Sequence, residues 1–273
     1  MAWWEGDKCF LHGSSQSVAF TIPFAARFLG IPPSNLVYVG ENCGGGFGGK
    51  GAAYTQLVLA AYMSKQIGKP VMLRISRSEE YYFGSARAGF QGRVKIGFGA
   101  DGRILATDMF TISDNGPDTG FPDWRNSGIA YSIIYQPKAM RFKGIPVLTN
   151  TPPKGPQRGP GENQTAAAME PIMDKAARLL GIDRLALRRI NAPSHDAVIG
   201  GQRGTVTGPV TSAYMPEVLD IGRARFNWDE RKKRSGQVNG TKITGIGIGQ
   251  AYHSGGANGF DGLVRIDTDG MVH

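Results

Sequence analysis

Five glycines surround one phenylalanine in residues 44–49, and Lys50 and Gly51 follow directly. Glycine loses more backbone freedom on folding than any other residue. Such a cluster therefore belongs where the backbone turns through conformations closed to side chains, or where another group comes too close for a Cβ. The apolar run "NLVYVG" (35–40) precedes it and reads as a strand. Residues 52–67 carry apolar side chains at helical spacing and stop at Gly68 and Pro70. The local order is strand, glycine-rich loop, helix.

The remaining chain alternates in the same manner. "KCFLHG" (8–13) reads as a strand, 17–29 as a helix closed by Gly30, and "VMLRIS" (71–76) as a strand. From residue 90 the period becomes two, and Asp101-Gly102 marks a hairpin turn within 90–114. Residues 114–130 read as loop and 138–150 as β-type. Residues 151–164 hold too much Pro and Gly for regular structure. Helices are expected at about 165–180, 183–191 and 214–227, and strands within 241–255 and 261–273. The pattern is α+β: mixed sheets with packed helices, in a first lobe (1–150) and a second (151–273). Strand patterns run up to both ends, as though a larger architecture were cut. On that reading apolar surface and an unpaired sheet edge are expected to lie exposed.

Composition excludes several functions. The formal net charge is +9, yet Lys and Arg are scattered, and only "DERKKRSG" (229–236) forms a run, so nucleic-acid binding is not expected. Two cysteines supply neither a disulfide framework nor ligands for iron–sulfur clusters. No run of 18 apolar residues is present, so no membrane span is expected. The opening "MAWWEGDK" lacks the basic start and apolar stretch of a signal peptide.

Three readings fit the glycine loop. Gly44, Gly46 and Gly49 satisfy the dinucleotide pattern G-x-G-x-x-G, without an acidic residue at the ribose-binding spacing of about 20 residues. Gly44, Gly49 and Lys50 satisfy a P-loop, except that Gly51 stands where a hydroxyl must bind magnesium. The third reading joins three segments. Gln16 follows Ser14-Ser15, Phe47 lies 31 residues after it within "GGGFGGK", and Arg158 lies 111 residues further on within "QRGPG". Taken singly, each has a plain alternative: Gln16 as a helix cap, Phe47 as a core plug, Arg158 as an anchor for its loop.

Together with the flanks "RFLGIPPSNLVYV", "GKPVMLRISRSEEYYFG" and "MDKAARLLGIDRLALRRINAP", these motifs resemble the molybdopterin-binding subunit of the xanthine dehydrogenase and aldehyde oxidase family. The resemblance covers nearly the whole chain. It implies a molybdenum-bearing molybdopterin, in some members the cytosine dinucleotide, seated by Gln16, Gly45, Gly46, Phe47, Gly48, Arg158 and Gly159, with no metal ligand from a protein side chain. The Phe47 N–H and the Gln16 carboxamide would face oxygens at the metal, and Arg158 would help seat the anionic group. By alignment the substrate pocket takes Gly51, Asn126, Pro160, Tyr252 and His253. Purine-hydroxylating members carry Glu at the position of Gly51, Arg at that of Asn126 and an aromatic at that of Pro160. An aldehyde or an aromatic or heterocyclic small molecule therefore suits this chain better than xanthine. The family's general base is a glutamate in the half that follows these residues, so no catalytic residue is assigned here. The resemblance further implies a second-half molybdopterin subunit, a subunit with [2Fe–2S] clusters and a flavin (FAD) subunit as partners. It places the protein in the cytoplasm, or in the periplasm through a partner's signal. A non-catalytic remnant or assembly subunit of the same fold, and a nucleotide-binding domain, are the alternatives.

Overall fold

The computed structural model describes residues 1–51, 53–118, 121–200, 206–210, 212–253 and 264–272. These fall into two compact units. The first comprises Met1–Ala86, Gly155–Arg158 and the C-terminal stretch; the second comprises Arg87–Lys154 and Gly159–His253. The chain thus crosses between units at residues 86–87 and again on either side of 155–158, where composition suggested a single boundary near 150. A boundary read from composition follows the chain, whereas the units are set by which segments pack together.

In the first unit, β1 (Ala2–Glu5) and β2 (Lys8–His12) form a hairpin, α1 (Val18–Leu29) crosses over, and β3 (Leu36–Val39) pairs parallel to β2. The Ser17 side chain accepts the Phe20 N–H and so caps α1, and Gly30 closes the helix in the left-handed conformation (φ 66°). Then come α2 (Thr55–Ile67) and the short α3 (Arg77–Phe83), which Ser76 and Glu79 open as a capping box. Cys9, Leu11, Ala25, Ala26, Leu36, Leu57, Ala60 and Ala61 form the core. Small residues on the facing sides of α1 and α2 let the helices lie close to the sheet. Of the strand expected at 71–76, only Val71 pairs, with Ala2; Met72 is 74% exposed. Past Val71 no strand edge is paired with the segment.

In the second unit, β4 (Phe90–Phe98) and β5 (Ile104–Gly116) form the expected hairpin, with Gly102 at φ 82° in its turn. Next is α4 (Asp123–Ile133), where a loop was expected. Its Asn, Ser and Gly content hides it from propensity. Tertiary packing makes the helix, since Ser127, Ala130, Tyr131 and Ile133 are buried. Strand β6 (Ala139–Leu148) then pairs parallel to β5. Helix α5 (Glu162–Leu180) starts about a turn earlier than expected, and α6 (Arg184–Asn191) is capped by Asp183. Strands β7 (Val198–Gly200) and β8 (Val206–Pro209) pair antiparallel, followed by α7 (Met215–Phe226), α8 (Trp228–Arg231), β9 (Val238–Asn239) and β10 (Lys242–Ile243). The strand expected over 241–255 reduces to β10; residues 244–253 have no regular structure, and 254–255 lie outside the described residues. Of 261–273, Ile266 pairs with Val272 across the Asp269-Gly270 turn.

The second core contains Ile104, Met109, Tyr131, Ile134, Tyr135, Met169, Met173 and Leu187. Fully buried Arg188 enters it from α6, paired with Glu170 (2.7 Å) and Asp174 (2.8 Å) of α5. The Tyr135 hydroxyl donates to the same Glu170. Apolar side chains also lie on the surface: Phe28, Tyr81, Tyr82 and Phe83 are each at least 66% exposed, and Leu148 on the sheet edge is 62% exposed. Removing one member of a buried ion pair strands its partners. Arg188→Ala is expected to cost about 3–5 kcal/mol, read as a lowered urea midpoint at an unchanged slope.

Candidate functional site

The glycine loop lies in the first unit, and the protein's own groups occupy the space its missing side chains leave. A Cβ on Gly46 would stand 2.1 Å from Gln16 Oε1. One on Gly48, whose φ is 108°, would stand 2.3 Å from the carbonyl oxygen of Pro156 and 3.2 Å from Gln157 Cα. The two distant motifs therefore converge on the loop: Gln16 packs on Gly46, and the backbone before Arg158 packs on Gly48. Gly44, by contrast, has open space where its Cβ would be.

Two hydrogen bonds fix this convergence. Gln16 Oε1 accepts from the Gly48 N–H at 2.9 Å, and the Phe47 carbonyl accepts from the Arg158 N–H at 2.6 Å. The first bond also settles the carboxamide orientation. A backbone N–H can only donate, so the Gln16 oxygen faces Gly48 and its NH₂ points elsewhere. Neither Gln16 Nε2 nor the Phe47 N–H has an acceptor among the described residues. Phe47 holds φ 53°, a backbone region that non-glycine residues seldom occupy, and its side chain is 64% exposed. It is therefore not a core plug; the Arg158 guanidinium lies 5.7 Å from its ring centroid. Around the loop, Lys50 Nζ donates to Ser14 Oγ (2.9 Å), the Gln16 N–H to the Lys50 carbonyl (3.0 Å), and Gln157 Nε2 to the Ser85 carbonyl (3.1 Å). A cavity of about 600 Å³ within this unit is lined by Gly46, Gly49, Lys50, Tyr54, Arg74 and Gln157, among others.

Within the second unit, residues 149–154 are anchored on Asp114. Asp114 accepts from Thr149 Oγ1, Thr151 Oγ1 (2.9 Å) and the Gly116 N–H (3.1 Å), and lies 3.2 Å from the nearly buried Lys154 ammonium. Burial alone would raise the Asp114 pKa, but these donors outweigh it and hold the carboxyl down at about 2. Gly159, at φ 73°, accepts from Arg87 Nη1 at 3.2 Å. Gly161, at φ 74°, sits against the first turn of α4, where a Cβ would meet the Asp123 carbonyl at 1.9 Å.

The substrate-pocket candidates divide between the units. Gly51 belongs to the first, its N–H bonded to the Gly48 carbonyl (3.1 Å). Asn126, Pro160, Tyr252 and His253 belong to the second. Asn126 is half-buried in α4, and Pro160 is half-buried just before α5. Tyr252 packs against the core of its unit. His253 Nδ1 is hydrogen-bonded to Glu162 Oε2, with the imidazole 58% exposed and Glu162 4% exposed. Sequence reasoning missed Glu162, Arg87 and Asp123, because nothing in their spacing separates them from ordinary helix-start and strand-start residues. Asp123 is 1% exposed, and the Ala88 backbone N–H and the Arg87 charge favour its carboxylate less than burial disfavours it. Burial, with the Glu162 charge adding to it, raises the Asp123 carboxyl to about 6. Among the described residues, no group of three His, Cys, Asp or Glu side chains is placed to hold a metal ion.

A loop of close-packed glycines with a carboxamide NH₂ and a backbone N–H that have no acceptor among the described residues, and with an exposed arginine, has the donors that an anionic group would need. That defines a cofactor-binding domain, and comparison with known proteins specifies it. Residues 1–192 match the family described as the molybdopterin cofactor-binding domain, and the chain belongs to that family. It is 29% identical over 252 residues to the xanthine dehydrogenase molybdenum-binding subunit of Escherichia coli O157:H7, covering 91% of this chain and 33% of that protein. It is 30% identical over 274 residues to an aldehyde oxidoreductase of Megalodesulfovibrio gigas, covering 98% of this chain and 29% of that protein. The solved aldehyde oxidoreductase from Desulfovibrio gigas superposes with a TM-score of 0.73 at 26% identity, covering 86% of this chain and 26% of that one. The α+β fold and the molybdopterin cofactor expected from the sequence are those of this family. The chain spans about a third of the length of these relatives.

Asp123 yields a prediction with a definite sign. Its folded pKa is raised above the unfolded carboxyl value, so folding favours the protonated form. Its penalty is absent below about pH 4 and complete above about pH 6. Asp123→Asn removes the titration. The variant is therefore expected to gain stability relative to the parent as pH rises from about 4 to 7, by up to roughly 3 kcal/mol, in paired denaturant melts across that range.

Proposed function

We propose that this chain is the first half of the molybdopterin-binding part of a molybdenum hydroxylase. The enzyme oxidatively hydroxylates an aldehyde or an aromatic or heterocyclic substrate, takes oxygen from water and passes electrons to iron–sulfur clusters on a partner. The observation that carries this reading is the clamp of Gln16 on Gly48 and of Arg158 on Phe47, which brings three distant motifs together and leaves the Gln16 NH₂ and the Phe47 N–H without an acceptor among the described residues. When bound, the molybdenum–pterin group supplies the two-electron oxidising centre. The residues of this chain hold it. Gln16 Nε2 and the Phe47 N–H donate hydrogen bonds to anionic oxygens, and Arg158 adds a fixed cation. A neutral carboxamide and a backbone N–H bind such oxygens without competing for the metal. The glycine backbone lets these donors reach the group without steric exclusion.

Gly51, Asn126, Pro160, Tyr252 and His253 are proposed to border the substrate. The absence of a carboxylate at Gly51 and of an arginine at Asn126 supports an aldehyde or an aromatic or heterocyclic substrate other than xanthine. The exposed apolar residues Phe28, Tyr81, Tyr82, Phe83 and Leu148 support burial against further subunits: a second-half molybdopterin subunit, an iron–sulfur subunit and a flavin subunit. No described helix is long and apolar enough to cross a membrane. The cytoplasm is the proposed compartment, with the periplasm reached if a partner carries an export signal.

Purified with its native partners, the chain is expected to carry close to one molybdenum per copy by elemental mass spectrometry, with iron alongside. Arg158→Ala keeps the backbone bond to Phe47, whereas Gln16→Ala frees the Gly48 N–H and loosens the glycine loop; both are expected to lower molybdenum occupancy while the rest of the fold stays intact. Loss of such supporting contacts typically costs about 10–100-fold in affinity. Full occupancy in both variants would count against these roles.

A further inference from the structure

The second unit pairs His253, an expected pocket residue, with Glu162, to which neither the resemblance nor the loop motifs gave a role. Glu162 begins α5 directly after the Arg-Gly turn and is 4% exposed. It holds His253 through Nδ1, while the imidazole itself is 58% exposed. The other ring nitrogen, Nε2, has no partner among the described residues. A carboxylate only accepts, so in the neutral imidazole Nδ1 carries the hydrogen and Nε2 presents its lone pair outward. This is the arrangement of a base oriented by a buried third group. The charged and titratable surroundings of Glu162 include Asp123, buried at the start of α4, and Tyr252, whose phenol pKa is raised by burial and then by the Glu162 charge; the Arg87 charge acts on Asp123. Glu162 Oε2 is also 3.9 Å from where a Cβ on Gly159, in the same unit, would be.

We propose that His253, positioned by Glu162, accepts a proton at Nε2 from the O–H or N–H of a small aromatic substrate. The proposal rests on the hydroxylase reading for its substrate class and on the geometry of the pair for its chemistry. In the transfer, the substrate's O–H or N–H bond breaks and an Nε2–H bond forms. The bonding electron pair stays on the substrate oxygen or nitrogen, and the Nδ1 proton remains in its hydrogen bond to Glu162. The imidazolium so formed is paired with a buried carboxylate that stabilises it. Because Glu162 acts through the imidazole, it is a positioning residue.

The sequence has four histidines, so histidine-selective ¹⁵N NMR resolves His253 directly in the full chain. The expected spectrum shows His253 as the Nδ1–H tautomer, with E162Q shifting it towards Nε2–H. Phenol is expected to move the His253 Nε2 resonance, and anisole, which has no O–H, is not. Because Glu162 is buried, E162Q has to be checked for folding; H253N, at an exposed position, provides the second variant. In the molybdenum-loaded complex, H253N is expected to retain the metal but lose on the order of 100-fold in kcat/KM together with the acid limb of the pH profile. An Nε2–H tautomer in the parent, equal responses to phenol and anisole, or a parent-like pH profile in H253N would each overturn the proposal. A parent complex without molybdenum would overturn the hydroxylase reading alone, leaving the tautomer and the phenol response to decide the role of the pair.

Discussion

The whole arrangement depends on how closely Gly48 is approached. Its N–H is taken by the Gln16 carboxamide, and the space of its absent Cβ is filled by the Pro156 carbonyl. No other residue type would allow both, because any Cβ there would collide with backbone, and at φ 108° it would be strained as well. The loop is thus held from two sides by segments 32 and more than 100 residues away in sequence. Phe47 is carried into its unusual conformation between these contacts, its carbonyl bound to Arg158 and its ring turned outward.

This clamp explains why glycine is dense here without invoking one cause for all of it. Gly46 and Gly48 are small because protein packs on them, Gly45 because the Phe47 ring lies 2.9 Å from its would-be Cβ. The same close packing commits the Gln16 oxygen and leaves its NH₂ without an acceptor among the described residues. A cradle made from backbone and one carboxamide is rigid, because its donors have few rotamers to lose. Charge is added separately, through Arg158, whose backbone N–H is held by the Phe47 carbonyl.

How much of this was legible in the sequence varies with the physical origin of each element. Helices α1, α2, α6 and α7 are marked by caps and apolar spacing and lie where those signals put them, as does the β4–β5 hairpin with its Asp-Gly turn. Helix α4 carries no such signal, since burial of Ser127, Ala130 and Tyr131 holds it. Of the strands expected at 71–76 and within 241–255, residues 72–76 and 245–253 have suitable residues, but no described strand pairs with them. Within the site, the spacing of Gln16, Phe47 and Arg158 revealed the motifs because their residue types are unusual in combination. The contact between Gly48 and Pro156 and the Glu162–His253 pair were invisible. They arise from long-range packing that leaves no periodic or compositional trace.

The central claim is that Gln16 commits its oxygen to the loop and turns its NH₂, together with the Phe47 N–H, towards the cofactor. It is tested most directly by ¹⁵N NMR of the chain's amides with and without bound molybdopterin. The account predicts that the Gln16 side-chain NH₂ and the Phe47 N–H shift on loading. The Gly48 N–H, already bonded within the protein, should stay nearly in place. Loading that leaves Gln16 and Phe47 unmoved, or that displaces Gly48 instead, would contradict it.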